Sequence, residues 1–459
     1  MLNQIKQRWR DDGGYQEVLS VAIPLILSTG AWSILLFVDR MFLAWYSPEA
    51  IAAAMPAGIA SFALMCLFIG TAAYVGTFVA QYYGAEEHNH IGAIVWQGIY
   101  LSVIALPVII IAYIFADEFF HSLGHTPEVA RLEADYFKIL MFSAPFLITS
   151  NAISSFFSGL SKTIVVMWVS ILIMIINIAL DYVFIFGRWG IPEMGVSGAA
   201  FATNIAIICG SLVYALLFLS KNNQHKFNTL KNWSFDYHLF KRLIHFGLPN
   251  GVRLFIDMSS FSAFLFFVGT LGVEQLAASN IAFNINALSF LPMLGLMIAV
   301  SVLVGQRIGE GSPQIAEKLT WSAIHIAVAF FGLLAFLYVS IPNVFIWPFT
   351  LHNGMETLTS SVPLIIVLLR FVALFGFFDA MFLVFLGALE GAGDTRFVLK
   401  MSVIVSWFLL LLPCYLYIRY FEADLIVLWI IITLHIMLYC GIFYLRFRFG
   451  PWRSMQVIN

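Results

Sequence analysis

Charged residues are scarce in this chain of 459 residues. Asp, Glu, Lys and Arg make up 10% of it, against about 25% in soluble domains. The composition therefore argues against a series of soluble domains. Cysteines are also few: the four present stand apart in apolar stretches and show no CxxC spacing. Neither a metal cluster nor a disulfide framework is indicated.

Catalytic motifs are lacking as well. The sequence contains no glycine-rich loop with a P-loop lysine. It also shows no motif in which a nucleophile and a general base are spaced for catalysis. Transport driven by ATP bound to this chain is therefore not indicated. The chain is not expected to be an enzyme, and no metal site or cofactor is predicted.

Hydrophobic residues dominate what is present, at 61% of the chain with a mean hydropathy of +0.92. Glycines, prolines and charged clusters divide the chain into about twelve apolar segments, each long enough to span a bilayer. The sequence thus predicts an all-α membrane protein with twelve transmembrane helices. The segments lie near 17–46, 52–82, 92–120, 131–160, 163–187, 195–220, 243–271, 275–308, 315–346, 361–391, 396–419 and 424–446.

The distribution of Lys and Arg predicts the orientation in the membrane. Most of them lie in the N-terminal segment, in the loops that follow the even-numbered helices, and at the C-terminus. The stretch 221–242 alone contains five. Both termini are therefore expected to be cytoplasmic. The apolar run after residue 16 is too long for a cleaved signal-peptide core, so we expect it to remain as the first helix.

The chain repeats itself at a nearly constant offset. Near the first two helices, the paired stretches are all the same number of residues apart. The two stretches of a later pair are slightly farther apart. We therefore predict two pseudo-symmetric six-helix lobes, 1–220 and 243–459, joined by a cytoplasmic linker at 221–242. Such a parallel repeat is typical of transporters that bind substrate between two halves. The matches pair 23–24 with 248–249, 48–53 with 273–278, Gln81 and Gly84 with Gln306 and Gly309, and 159–163 with 391–395.

Four aspartates lie inside the apolar segments: Asp39, Asp181, Asp257 and Asp379. A charged carboxylate at the bilayer centre costs roughly 2.5–3.5 kcal/mol on insertion scales, so its presence indicates a function. The usual functions are binding of a cation, a proton or a charged substrate. A structural partner is the other explanation. These residues favour a transporter.

Helix lengths bring part of this set to one depth. Asp39 of helix 1, Asp181 of helix 5 and Thr203 of helix 6 each lie about 10 Å below the outer boundary. Asn177 is one turn from Asp181 on the same face. Their oxygens suit a hard cation, and two close carboxylates can instead hold a proton. A structural hydrogen-bond cluster joining helices 1, 5 and 6 is the alternative.

The second half offers Asp257 and Asp379 near the midplane. They are suited to coordinate a cation, carry a proton or attract a cationic substrate. Arg253 is one turn before Asp257, so a structural ion pair is the alternative. Pro24 interrupts helix 1 and is either a hinge or a static kink. Arg40 either extends to the outer boundary or reaches another helix.

Four stretches resemble the MATE (multidrug and toxic compound extrusion) family, in its prokaryotic NorM-like and DinF-like branches. They are VDRMF at 38–42, NIALDYVFIFG at 177–187, GVSGAA at 195–200 and LEGAGDTR at 389–396. The resemblance covers nearly the whole chain. It implies a twelve-helix fold of two lobes and export of lipophilic cationic drugs in exchange for inward H⁺ or Na⁺.

The resemblance also assigns residues. It implies a cation or proton site at Asp39, Asn177, Asp181 and Thr203, and a second-lobe site for a cation or substrate at Asp257 and Asp379. Pro24 matches a family proline associated with bending of helix 1. The family commonly has Glu at the position of Asp257, and a small or hydroxyl residue at that of Arg40.

The resemblance further implies a monomer in the cell inner membrane that contacts membrane lipids and binds no nucleic acid. Two rival functions stay open. One is a flippase for lipids or lipid-linked oligosaccharides from the same superfamily, which favours a basic central cavity. The other is a membrane scaffold or sensor that carries no flux. The sequence does not separate Na⁺ from H⁺ coupling, since both use the same oxygens.

Overall fold

The computed structural model describes residues 8–350 and 356–458, and every regular element in these ranges is a helix. Residues 1–7 of the predicted polar N-terminal segment lie outside the described part. Twelve helices are long and apolar enough to cross a membrane. In chain order they are α1 (Tyr15–Tyr46), α2 (Pro48–Gly84), α3 (His88–Ile114), α4 (Pro127–Gly159), α5 (Thr163–Phe186), α6 (Gly195–Phe218), α7 (Tyr237–Gly269), α8 (Val273–Gly309), α9 (Pro313–Ser340), α10 (Ser361–Ala392), α11 (Thr395–Tyr420) and α12 (Leu425–Phe449).

Two predicted segments are each divided in the structure. The segment 92–120 becomes α3 and a short helix, Ala116–Ser122. The segment 315–346 becomes α9 and a second short helix, Pro342–Thr350. Pro342 has no amide hydrogen with which to continue α9, but proline suits the first turn of a new helix. At the other break, carboxylates fill the first turn of the short helix, where the helix dipole stabilises them.

The chain forms two compact units whose boundaries fall inside α1 and α7. We call Leu27–Leu254 together with Val457–Asn459 the N-unit. Met1–Ile26 together with Phe255–Gln456 is the C-unit. These units differ from the predicted lobes 1–220 and 243–459, because the first part of each of these two helices packs in the unit formed mainly by the other half of the chain. The boundaries lie shortly after the prolines of α1 and α7, Pro24 and Pro249.

In the N-unit, α7 packs closely against α2. The Asn250 side-chain amide donates to the Gly70 carbonyl oxygen at 2.9 Å. A methyl group on Gly70 would lie 2.7 Å from the Cα atom of Gly251. Only glycine at position 70 permits this approach. Farther along α2, a methyl group on Gly159 of α4 would lie 2.7 Å from the Gly76 carbonyl oxygen.

The C-unit holds the start of α1 in an equivalent way. A methyl group on Gly295 of α8 would lie 2.7 Å from the Cα atom of Ile26. Glu17 of α1 accepts a hydrogen bond from the Arg307 guanidinium at 2.7 Å. A methyl group on Gly391 of α10 would overlap the Ser301 carbonyl oxygen of α8.

The glycine contacts of the N-unit have counterparts in the C-unit. The residues of each pair of contacts are as far apart along the chain as the stretches of the sequence repeat. The pair Gly70 and Gly251 matches the pair Gly295 and Ile26, because Gly70 is as far from Gly295 along the chain as Ile26 is from Gly251. The contact of Gly159 with α2 likewise matches the contact of Gly391 with α8, and these two glycines begin the last pair of matched stretches. The duplication is therefore visible as repeated helix crossings, each made possible by a small residue.

Candidate functional site

The N-unit places α1 alongside α5. The hydroxyl oxygens of Ser28 and Ser170 are 2.7 Å apart, and the rings of Phe42 and Phe186 meet edge to face at 5.9 Å. Asp39 lies between these two contacts along α1. Asp39 is 6% exposed, so the fold shields its carboxylate from water and lipid.

The turn between α5 and α6 determines where the polar residues of these helices meet. Gly187 ends α5 in the left-handed conformation, with φ of 63°, which glycine adopts without strain. A methyl group on Gly198 would lie 2.7 Å from the Phe184 carbonyl carbon. These glycines, both inside the family-like stretches, bring the first turns of α6 close to the end of α5.

This packing joins Asn177 of α5 to Thr203 of α6. The Asn177 side-chain amide donates to the Thr203 hydroxyl oxygen at 3.2 Å. Asn177 and Asp181 are both fully buried, and Thr203 is half-buried. The predicted group therefore includes one bonded pair, on neighbouring helices. Asp181 lies one turn beyond Asn177 on the same face of α5.

Four oxygen atoms of this group accept no hydrogen bond from the residues that the structure describes. Buried polar atoms are bonded in the great majority of cases, so each exception calls for an explanation. Three of the four belong to carboxylates, whose burial without a partner is costly. A structural hydrogen-bond cluster would satisfy these atoms, so the arrangement favours a cation or proton site. The atoms are Asp39 Oδ1, Asn177 Oδ1 and both carboxylate oxygens of Asp181.

The sequence analysis missed Tyr136 of α4. Its side chain is 6% exposed, and the charges of Asp39 and Asp181 both act on its hydroxyl. Tyr136 lies nine residues into α4 from Pro127, about 13 Å along the helix. This depth is similar to the depth of about 10 Å at which Asp39, Asp181 and Thr203 lie, which is the sequence signal for Tyr136. The hydroxyl adds a neutral donor near the two acids.

Asp257 of α7 and Asp379 of α10 are both half-buried in the C-unit. The charge of Asp379 acts on the Cys440 thiol of α12. Sequence reasoning missed His435 on the same helix, which is 7% exposed. Its Nδ1 atom has no hydrogen-bond partner in the described part of the chain. No sequence signal beyond its place in an apolar segment distinguishes this histidine.

Two further residues of the sequence analysis, Arg40 and Pro24, lie on α1. Arg40 is exposed, and its charge acts on the Asp39 carboxylate and on the Tyr136 hydroxyl. Pro24 lies two residues before the boundary between the C-unit and N-unit parts of α1.

In the part of the chain that the structure describes, twelve helices are long enough to span a membrane, and the buried carboxylates of Asp39 and Asp181 hold oxygens without a partner. Together with the duplicated helix arrangement, these features are typical of polytopic transport proteins. The chain belongs to the MatE family, whose family model matches residues 24–183 and 249–416. The two matched ranges start at Pro24 and Pro249, at the spacing of the internal repeat. The predicted family is confirmed. The chain is thus a multi-pass membrane transporter rather than an enzyme.

Curated relatives resemble the chain along most of its length. A protein of Bradyrhizobium diazoefficiens described as "Probable multidrug resistance protein NorM" is 24% identical over 95% of this chain and 93% of its own. The "Multidrug resistance protein NorM" of Burkholderia vietnamiensis is 27% identical over 84% of this chain and 83% of its own.

A solved structure shows the same fold. It is described as the outward-facing conformation of a multidrug resistance MATE family transporter of the MOP superfamily, and it superimposes with a TM-score of 0.87. The match covers 96% of each chain at 20% sequence identity. The predicted twelve-helix fold is therefore confirmed.

Proposed function

We propose that this protein is a secondary active multidrug efflux antiporter, which exports lipophilic cationic compounds in exchange for inward H⁺ or Na⁺. The observation that carries the proposal is the group of four unsatisfied, buried oxygens at Asp39, Asn177 and Asp181. A single cation or proton relieves the cost of burying them. The relatives described as multidrug resistance proteins support drugs as the exported class.

The site suggests how binding drives exchange. Two buried carboxylates near each other repel, so the pair gains most from a proton or a metal cation. Na⁺ requires oxygen ligands, and Asp39, Asn177, Asp181 and Thr203 offer carboxylate, amide and hydroxyl oxygens. A cation that binds more tightly in one arrangement of the protein shifts the population toward it. By reciprocity, that cation lowers the affinity for a drug that favours the other arrangement.

The C-unit acids complete the proposal. Half-buried Asp257 and Asp379 attract a cationic substrate or bind a second coupling ion. Pro24 serves as the hinge of α1. The protein acts as a monomer in the cell inner membrane, with both termini in the cytoplasm, in contact with membrane lipids and without a cofactor. The basic stretch 221–242 supports this orientation.

The proposal is tested in proteoliposomes loaded with a fluorescent lipophilic cation, with Na⁺ and proton gradients imposed separately. Uphill drug movement is expected with one of the gradients, and it should be lost in Asp39→Asn and Asp181→Asn. Asp135→Asn is the matched control, because this aspartate is half-exposed in a loose ion pair with Arg131 at 3.8 Å. Gradient-driven transport that survives in both site variants would remove their assigned role.

The same vesicles test the flippase alternative. Labelled lipid that changes leaflet without any drug movement would favour that function. A complete lack of flux for both substrates would favour the scaffold or sensor.

A further inference from the structure

An apolar groove lies on the N-unit between α5 and α6, away from the buried acids. Its volume is about 280 Å³. Its lining is apolar and aromatic, and includes Trp168 and Leu172 of α5 and Val213 and Leu217 of α6. Trp168 is 62% exposed. Since α5 and α6 are membrane-spanning, this groove is open to lipid.

Basic side chains gather at the end of the groove where α5 begins and α6 ends. Lys162 directly precedes α5, and its ammonium group lies 5.7 Å from the centre of the Phe227 ring. The ammonium group of Lys226 lies 5.5 Å from the same ring and 5.8 Å from that of Tyr83. Lys221 begins the short helix Lys221–Phe227, four residues after Leu217 of the groove.

The charges of Lys162 and Lys226 are not neutralised by any residue that the structure describes. Lys162 and Lys226 form no ion pair with any described residue, including Glu86 and Glu87 in the nearby turn before α3. Burial and the charge of Lys226 lower the pKa of the Lys162 ammonium group. Both lysines are nevertheless exposed, so they remain accessible to a ligand from outside.

We propose that this groove binds one anionic glycerophospholipid, with an acyl chain between α5 and α6 and the phosphate at Lys162 and Lys226. Charge complementarity selects the headgroup, because basic pockets between membrane helices bind anionic lipid heads. The apolar lining selects a lipid over a soluble anion, since only a lipid fills the groove and reaches the lysines at once. The proposal does not depend on the transported substrate.

The first test removes the headgroup contacts. The purified, delipidated full-length chain is titrated with dioleoyl-phosphatidylglycerol or dioleoyl-phosphatidylcholine, and bound lipid is counted by native mass spectrometry. The anionic lipid should bind more tightly. Lys162→Gln with Lys226→Gln should weaken it about fivefold per lysine removed. Lys231→Gln with Lys241→Gln removes the same charge from the linker after α6 and from the start of α7, and it should leave binding unchanged.

The second test fills the groove. Val213→Trp should weaken binding of phosphatidylglycerol, and Leu212→Trp is its control, because Leu212 is exposed on the same helix and is not among the lining residues. Thermal unfolding of each variant verifies the fold. Equal binding of both lipids, or equal loss in the control double variant, would overturn the proposal. So would a lysine-dependent site that ignores Val213→Trp and is emptied by millimolar inorganic phosphate, because that result describes a free-anion site.

Discussion

Asn177 gives its amide hydrogen to the Thr203 hydroxyl at 3.2 Å, while its own side-chain oxygen accepts nothing from the described residues. The bond ties the Asn177 side chain to α6, and Asp181 lies one turn away on the same face of α5. Thr203 thus positions a ligand atom of the proposed site in addition to offering its own oxygen. This makes the hydroxyl a precise place to test the site without altering any charge.

Replacing Thr203 by Val keeps the shape of the side chain and removes its hydroxyl. We expect the coupling ion to bind more weakly by about 1 kcal/mol, the usual net value of one hydrogen bond, or roughly fivefold. The measurement is the ion concentration that gives half-maximal drug efflux. Thr433→Val removes a buried hydroxyl from α12, where it donates to the Trp429 carbonyl, and should leave that concentration unchanged. An equal shift in both variants would point to general destabilisation.

Tyr136→Phe tests the residue that sequence reasoning missed. Losing the hydroxyl removes a dipole on which the charges of Asp39 and Asp181 both act. The apparent affinity for the coupling ion should therefore change, while expression and thermal stability stay close to those of the parent protein. Tyr338→Phe in α9 is the control, since its hydroxyl donates to the Ile285 carbonyl at 3.2 Å in the C-unit. An unaltered ion dependence in Tyr136→Phe would exclude the hydroxyl from the site.

Gly391→Ala tests the close crossing of α8 and α10. The added methyl group would overlap the Ser301 carbonyl oxygen, and forced overpacking typically costs about 1–3 kcal/mol. Gly441→Ala in α12 is the matched control, because a methyl group there meets no atom within 4 Å. Alanine also favours a helix more than glycine does. Thermal unfolding in detergent should therefore show a loss for Gly391→Ala and none for Gly441→Ala.

Lys162→Gln should change how stability depends on pH. Since folding lowers the pKa of this ammonium group, the unfolded chain binds more protons than the folded chain between the folded pKa and the ordinary value of 10.5. Stability of the parent protein should rise with pH through that window. The variant lacks this rise, so it should be the more stable of the two near pH 7, with the difference vanishing above pH 10.5.

The measurement is the thermal midpoint against pH in a zwitterionic detergent. Lys241→Gln, an exposed change near the start of α7, is expected to follow the parent curve. Added phosphatidylglycerol should reduce the difference near pH 7, because an anion at Lys162 offsets the cost of its charge. If Lys162→Gln and the parent protein keep the same pH profile, the side chain is not electrostatically strained.

Hydropathy and breaking residues were sufficient to predict the twelve helices, since each helix is encoded by its own continuous stretch. The same holds for the buried acids, because a carboxylate in an apolar segment is visible in the sequence alone. Hydropathy does not predict breaks within an apolar segment. Pro342 begins a new helix inside a segment that hydropathy alone predicts to be continuous. The break after Ile114 is a second such case.

What the sequence did not predict depends on contacts between distant residues. The start of α1 belongs to the C-unit because it contacts Gly295 and Arg307. The sequence around these two residues contains no pattern that predicts this contact. Tyr136 and His435 were missed for the same reason. A tyrosine or histidine in an apolar helix becomes notable only when its neighbours are known.

The division of α1 and α7 between the units has a consequence for biosynthesis. The N-unit needs the first part of α7, and its Gln81 side chain also accepts the backbone amide of Val457 at 2.7 Å, near the end of the chain. The C-unit, in turn, needs the first part of α1, which is synthesised before the other membrane-spanning helices. Neither bundle can be completed by a ribosome that has released only half of the polypeptide, so the two halves must mature together in the membrane.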